Sequence, residues 1–236
     1  MFIHQKNVTG LRTSKGSYHF NKVGSNSDIS ALYKKLINPK EVKIPQKLLE
    51  QEKSSSGIIF YWGVRGQFPE LDVHNIFFSD DYKTEFDSIF KRKSLYEDPT
   101  IYLHISSKVE KNDASEGGEN WFLLMNTPHN VGQPWEEYVS EMRQFVIQKL
   151  NRILGIDVSK LIEVEDYLDP VRIEERTSSW GGALYGNASN NKFSAFLRHP
   201  NFNREIENMV WVGGSVHPGG GIPLSLSSAK IASEAL

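Results

Sequence analysis

The chain has 236 residues and a mass of 26.9 kDa, with 27 Lys and Arg against 29 Asp and Glu and a formal charge of −2. Hydrophobic residues at 39% and charged residues at 24% exclude disordered, collagen-like and coiled-coil classes, and the even charge balance supplies no basic field for nucleic acid. The absence of cysteine excludes disulfide scaffolds, cysteine-ligated zinc, iron–sulfur clusters and thiol nucleophiles.

In chain order, Asn7–Thr13 and Gly16–Val23 read as two strands around the turn signal Ser14-Lys15-Gly16. After Ser25-Asn26-Ser27-Asp28, apolar residues at Ile29, Leu32, Tyr33 and Leu36 carry a helical period that ends at Asn38-Pro39. Pro45–Glu52 reads as a second short helix. Gly57–Val64 is a continuous apolar and aromatic run whose length predicts a strand buried on both faces, with Val73–Phe78 as its partner. Ser79 is positioned as the N-cap of a helix carrying Tyr82, Phe86, Ile89 and Phe90. Ile101–Ser106 and Trp121–Asn126 are strands separated by an exposed polar loop, Lys108–Glu119.

The clearest helix is Pro134–Leu154, opened by proline, closed by Gly155 and apolar along one face from Trp135 to Ile153. A strand at Leu161–Tyr167, a helical turn from Pro170 to Arg176, and a Gly/Ser/Asn-rich loop at Ser178–Asn191 follow. The last unit, Asn208–Leu236, reads as strand, loop and helix. Strands and helices interleave throughout, so the fold class is mixed α/β.

The C-terminal unit carries the most chemical information. The strand Asn208–Val212 runs into Gly213-Gly214-Ser215-Val216-His217-Pro218-Gly219-Gly220-Gly221, and Ile222-Pro223-Leu224 opens a helix whose Leu226, Ala229, Ile231 and Ala232 suit close packing. Strand, glycine-rich loop and helix N-terminus together can hold an electron-rich group, because unpaired N–H groups and the helix dipole point at it. The spacing is neither GxGxxG nor GxxxxGK[ST], so by pattern alone a flexible turn before a terminal helix stands equally open.

The string GGSVHPGGGIPLSLSSAKIASE resembles the C-terminal flavin fingerprint of the phytoene-desaturase family of FAD-dependent carotenoid desaturases, with His217-Pro218-Gly219-Gly220-Gly221-Ile222-Pro223 as its most specific part. The resemblance extends through FYWGVRGQFPELDVHNIFFSDDYKTEFDSIF, DPTIYLHISSK, ENWFLLMN, KLNRILGID and SNNKFSAFLRHPNF, and is greatest to the bacterial hydroxycarotenoid 3,4-desaturases. Members of that family begin with a strand–GxGxxG–helix unit that these 236 residues lack. The resemblance therefore implies a C-terminal half with three segments. Residues 1–30 would be remnant strands of a Rossmann-like FAD-binding domain, 31–195 an α+β carotenoid-binding domain, and 196–236 the C-terminal part of the FAD-binding domain.

It further implies FAD as cofactor, a long polyene as substrate, and the N-terminal FAD-binding half as partner. Gly213, Gly214, Ser215, Pro218, Gly219, Gly220, Gly221, Ile222, Pro223 and Leu224 would line the flavin. His217 would polarise a flavin carbonyl or take the proton, unless it only shapes the loop. The implied activity is desaturation of a C–C single bond by hydride transfer to flavin. The alternatives are a non-catalytic carotenoid- or lipid-binding half, or an isomerase or saturase relative.

Among the aromatic tracts, Trp180 and Tyr185 are the best candidates to line a polyene tunnel because they stand in a Gly-rich loop, and Tyr61 in Phe60–Trp62 is a third. His199-Pro200 reads as a solvent-facing helix end. His4, His19, His74, His104 and His129 show no metal-ligand spacing, so no metal site is expected. Glu163–Asp169 and Glu174-Glu175 read as solvated surface. No apolar run approaches the roughly 18–20 residues of a spanning helix. MFIHQKNVTG lacks a secretory apolar core, which makes the N-x-S/T sites at Asn7 and Asn187 chance matches. The family implies a cytoplasmic protein peripherally bound to the inner membrane, with Tyr82–Phe90 and Trp135–Phe145 as candidate membrane-facing stretches.

Overall fold

The computed structural model describes residues 1–188, 197–202 and 204–235. Its strands are β1 (Phe2–His4), β2 (Asn7–Thr13), β3 (Gly16–His19), β4 (Val23–Ser25), β5 (Ser56–Arg65), β6 (His74–Phe77), β7 (Ile101–His104), β8 (Gly118–Thr127), β9 (Ile162–Leu168) and β10 (Met209–Trp211). Its α-helices are α1 (Ile29–Lys35), α2 (Gln46–Leu49), α3 (Tyr82–Asp87), α4 (Trp135–Leu154), α5 (Pro170–Thr177) and α6 (Ile222–Ala235). The chain is mixed α/β, as its periodicities predict.

Two compact units form, one from Met1–Ser54 with Glu174–Leu236, the other from Ser55–Ile173. These bounds differ from the expected 31–195 segment. Residues 31–54 group with the chain ends because Leu32, Tyr33, Ile37, Val42 and Leu49 share one buried cluster with Ile206, Met209, Trp211 and Val216. Burial of such side chains is worth about 1.5–3 kcal/mol each, enough to fix the grouping.

In the discontinuous unit, β1, β2 and β3 form an antiparallel meander, and β4 pairs in parallel with β10 in the register Val23↔Met209, Gly24↔Val210, Ser25↔Trp211. A parallel pair needs a long connection, and here it joins strands nearly 190 residues apart in sequence. Asp28 caps α1 by accepting from the Ser30 and Ala31 amides at 2.9 and 3.1 Å.

The continuous unit is a five-stranded antiparallel sheet in the order β6-β7-β8-β5-β9. Alternation sends Ile58, Phe60, Trp62, Val64, Ile101, Leu103, Trp121, Leu123 and Met125 to one face. There they share a core with Trp135, Val139, Met142, Val146 and Leu150 of α4. Gly155, in the left-handed conformation at φ 69°, ends that helix as predicted.

Several local expectations change. The cap of α3 is Asp81, whose carboxylate accepts from the Thr84 amide at 2.9 Å. Ser79 instead donates to buried Glu85. The strand β5 is buried on both faces except near its end, where Tyr61 emerges. Asp169, read as solvated, is buried and accepts from the Arg172 amide at the start of α5. The Trp135–Phe145 stretch commits Trp135, Val139 and Met142 to the core, while Tyr82 is exposed.

Candidate functional site

The glycine-rich loop leaves β10 at Val212 and enters α6 at Ile222. Its path is fixed from beneath by four buried side chains. Arg198 donates to the carbonyls of Tyr185 (3.0 Å), Gly214 (3.1 Å) and Asn187 (2.9 Å). Asn201 Nδ2 lies 2.9 Å from the Trp211 carbonyl, 2.9 Å from the His217 carbonyl and 2.8 Å from Ser228 Oγ. Ser228 Oγ also accepts from the Gly213 amide. His199 stacks edge-on against Trp211 and sits 2.9 Å from the Tyr33 hydroxyl, with Nδ1 against the Pro200 carbonyl at 2.6 Å.

His199 is therefore not at a solvent-facing helix end. It is 2% exposed, and burial pushes its pKa down to about 4, keeping the ring neutral. Burial likewise lowers the Arg198 pKa. Lys53, buried beside the same segment, donates to Ser30 Oγ (2.8 Å) and Asn187 Oδ1 (2.6 Å), and desolvation lowers its pKa to about 8 against the raising influence of Asp28. Asn187, whose amide donates to Leu48 O and Gln51 Oε1, is buried with no room for a glycan.

The predicted loop residues fall into two groups. A Cβ on Gly213 would run into Asn26 Oδ1, one on Gly214 would lie 3.2 Å from Gly220 Cα, one on Gly219 3.2 Å from Arg198 Nε, and one on Gly220 2.7 Å from Tyr185 Cδ1. Ser215 Oγ accepts the Ile29 amide at 3.1 Å and so caps α1. Pro218 follows a cis peptide. These residues are absorbed by contacts within the unit. Gly221 differs: φ is +96°, which favours glycine, and no atom lies within 4 Å of its missing side chain.

Beyond Gly221, the first amide bonded among the described residues is that of Ser225, to the Gly221 carbonyl. The Ile222 and Leu224 N–H groups form the open end of a 14-residue helix, Pro223 having no N–H, and Ile222 is 79% exposed. That opening fits an electron-rich edge of a flavin. At the other loop glycines the side-chain position is taken up or closely approached by this unit's own atoms.

His217 is half-buried; its amide donates to His199 O and its carbonyl accepts from Asn201, while its ring has no hydrogen bond among the described residues. Tyr185, 50% exposed, is brought onto Gly220. Trp180 lies under the Lys34 ammonium at 3.7 Å. Tyr61, 40% exposed, belongs to the other unit, edge-on to Phe122 at 5.5 Å. In α6 the packed positions are Ser228 and Ala232; Leu226 and Ala229, expected to pack, face outward. Arg198, Asn201 and Ser228 escaped the sequence reading, although Arg198-His199-Pro200-Asn201 lies in a matched segment.

No protein-family model matches the chain. In sequence it is 54% identical over 98% of its length to a 1-hydroxycarotenoid 3,4-desaturase of Flavobacterium sp. (strain P99-3), and covers 47% of that protein. It is 34% identical over 97% of its length to a 4,4'-diaponeurosporene oxygenase of Staphylococcus aureus (strain MSSA476), again covering 47%. In structure it is similar to an oxidoreductase from Methanosarcina mazei, with a TM-score of 0.60, 10% identity, and coverage of 99% of this chain and 47% of that one. The chain thus spans about half the length of the relatives it matches.

Proposed function

We propose that this chain is the C-terminal part of an FAD-dependent enzyme that desaturates a long acyclic carotenoid. The observation that carries the reading is the 54% identity over 98% of the chain to a 1-hydroxycarotenoid 3,4-desaturase. The open amides of Ile222 and Leu224 beside Gly221 support it. A helix terminus stabilises negative charge by about 0.3–1 kcal/mol, up to about 2 where partly buried. Bound flavin would supply the acceptor for a hydride leaving a C–H next to the polyene.

The chain's own residues have narrower tasks. The Arg198–Asn201–Ser228 network fixes the loop so that the amides opening α6 need no reorganisation. His217, its backbone held on both sides, presents its ring as the candidate proton acceptor. Tyr185 and Trp180, and separately Tyr61, are the aromatic candidates to touch an apolar ligand. Peripheral membrane contact and a cytoplasmic location belong to the same proposal. No helix among the described residues is long and apolar enough to cross a membrane.

The test is the visible spectrum of the purified chain, alone and mixed with a segment bearing the strand–GxGxxG–helix unit of a relative. Flavin bands in the mixture, together with a red-shifted polyene product from a hydroxylated acyclic carotenoid, are expected. A mixture that holds no flavin and leaves the polyene unchanged refutes the reading.

A further inference from the structure

We propose that His74, Tyr102 and His104 form a hydroxyl-recognition site for the alcohol terminus of a hydroxylated polyene. They stand on the face of the five-stranded sheet opposite its core. The inference rests on the polyene reading above and adds to it the residues that select the end group.

The residues meet only in three dimensions. His74 on β6 stands directly opposite His104 on β7, and Tyr102 lies two residues before His104 on the same face. The two imidazoles stack with centroids 4.9 Å apart at 19°. The Tyr102 hydroxyl is 2.8 Å from His74 Nδ1, and its ring stacks on both histidines at 6.0 and 6.5 Å.

Around them the face is apolar. Ile76 stands opposite Tyr102 on one side and Leu124 on the other, and Phe122 stands opposite His104. Phe122 continues edge-on from Tyr102 (6.3 Å) to Tyr61 (5.5 Å). The strip from β6 to β5 is three strand spacings wide, about 14 Å. Its one concentration of hydrogen-bonding side-chain rings is at the β6–β7 end.

The chemistry suits an alcohol. A hydroxyl brings one donor and two acceptor positions, and a neutral imidazole offers one of each. In the His74–Tyr102 bond one partner donates, which leaves either His74 Nε2–H or the tyrosine O–H free to donate outward. The His104 ring has no hydrogen bond among the described residues, so its unprotonated nitrogen is open to accept. The three stacked rings thus offer both a donor and an acceptor on one face of the sheet, flanked by surface that suits the hydrocarbon chain.

The experiment measures binding by tryptophan quenching of the full 236-residue chain in detergent. The probes are a 1-hydroxy-1,2-dihydro acyclic C40 carotenoid and its unhydroxylated counterpart. The hydroxylated probe should bind about 3–10-fold more tightly, the range of one to two net hydrogen bonds. Tyr102→Phe and His104→Phe should each bring the ratio of the two affinities close to one. His104→Gln, which keeps a donor and an acceptor, should retain part of the preference. Equal affinity of the wild-type chain for both probes, or a preference that survives both phenylalanine variants, overturns the inference and leaves the polyene reading standing. Binding of neither probe overturns both.

Discussion

Asn201 is the most exacting point in the support of the glycine-rich loop, and Asn201→Asp tests it with almost no change in shape. The amide nitrogen carries two hydrogens for three acceptors, the carbonyls of Trp211 and His217 and the Ser228 hydroxyl, all at 2.8–2.9 Å. Loss of two such bonds costs about 1 kcal/mol each, and leaving the buried carbonyls unpaired adds about 1–3 kcal/mol. A carboxylate here would be 2% exposed and aimed at two carbonyl oxygens, so burial and repulsion raise its pKa. Holding it neutral at pH 7 against an unfolded value near 3.9 costs up to about 4 kcal/mol. The variant should lose about 4–6 kcal/mol at pH 7, comparable with the whole stability of many domains.

Because the folded-state pKa is raised, the deficit shrinks as pH falls towards about 4. The protonated acid then donates one bond again, and about 2 kcal/mol of deficit should remain. Asn201→Ala should lose about 3–4 kcal/mol at both pH values. Urea titrations of wild type and both variants at pH 7 and pH 4 measure this. Hydrogen exchange at the Trp211 and Gly213 amides ties the loss to the correct unit. An Asn201→Asp deficit below about 1 kcal/mol at pH 7, or one that does not change relative to Asn201→Ala between the two pH values, refutes the assigned role.

Three further outcomes are expected. His199, lowered from 6.5 to about 4, binds its proton more readily when unfolded. Stability should therefore fall by up to about 3 kcal/mol as pH drops from 6.5 to 4, a component that His199→Gln removes in denaturant titrations. Gly220→Ala should cost about 1–3 kcal/mol through its 2.7 Å approach to the Tyr185 ring, with partial recovery in the double variant with Tyr185→Ala. Gly186→Ala, which meets the Ser215 backbone at 2.8 Å with φ at +68°, should show no such recovery in the same assay. Glu119 accepts from the Phe68 amide, the Trp121 indole and Lys108, so Glu119→Ala should destabilise the 55–173 unit by about 3–5 kcal/mol in thermal unfolding.

Local pattern carried the elements whose reasons are local. The 3.6-residue period and Gly155 specify α4, and the apolar run from Gly57 to Val64 specifies β5, because periodicity and caps act over a few residues. The discontinuous unit was not legible that way, since its β4–β10 pair and its core join residues far apart in sequence. The glycines of the loop were legible as glycines but not as to cause. Only the positions of Asn26, Arg198 and Tyr185 reveal what Gly213, Gly219 and Gly220 admit, while Gly214 faces Gly220 within the loop. The cap of α3 was displaced by two residues because Ser79 and Asp81 are both competent caps, and buried Glu85 claims the serine. Histidine spacing along the chain likewise does not reveal His74 facing His104 across two strands.

The loop glycines also bear on what this chain would contribute to a flavin. Phosphate cradles work by aiming several unpaired amides at one charge, and glycine permits it by removing a Cβ from the ligand's path. Here the space a Cβ would take at positions 213, 214, 219 and 220 is already occupied by protein. Ser215 is bonded to α1. At Gly221 the side-chain position is empty, and the amides of Ile222 and Leu224 opening the helix are unpaired among the described residues, an arrangement that can face one electron-rich edge. On the proposed reading we assign this opening to the reactive ring, and the diphosphate to the strand–GxGxxG–helix unit of the family. Gly221→Ala separates the two contributions in the mixture described above. It should weaken flavin binding modestly, by the roughly 0.3–2 kcal/mol of one helix terminus. A loss of several orders of magnitude would mean that the loop does hold phosphate and that this division of labour is wrong.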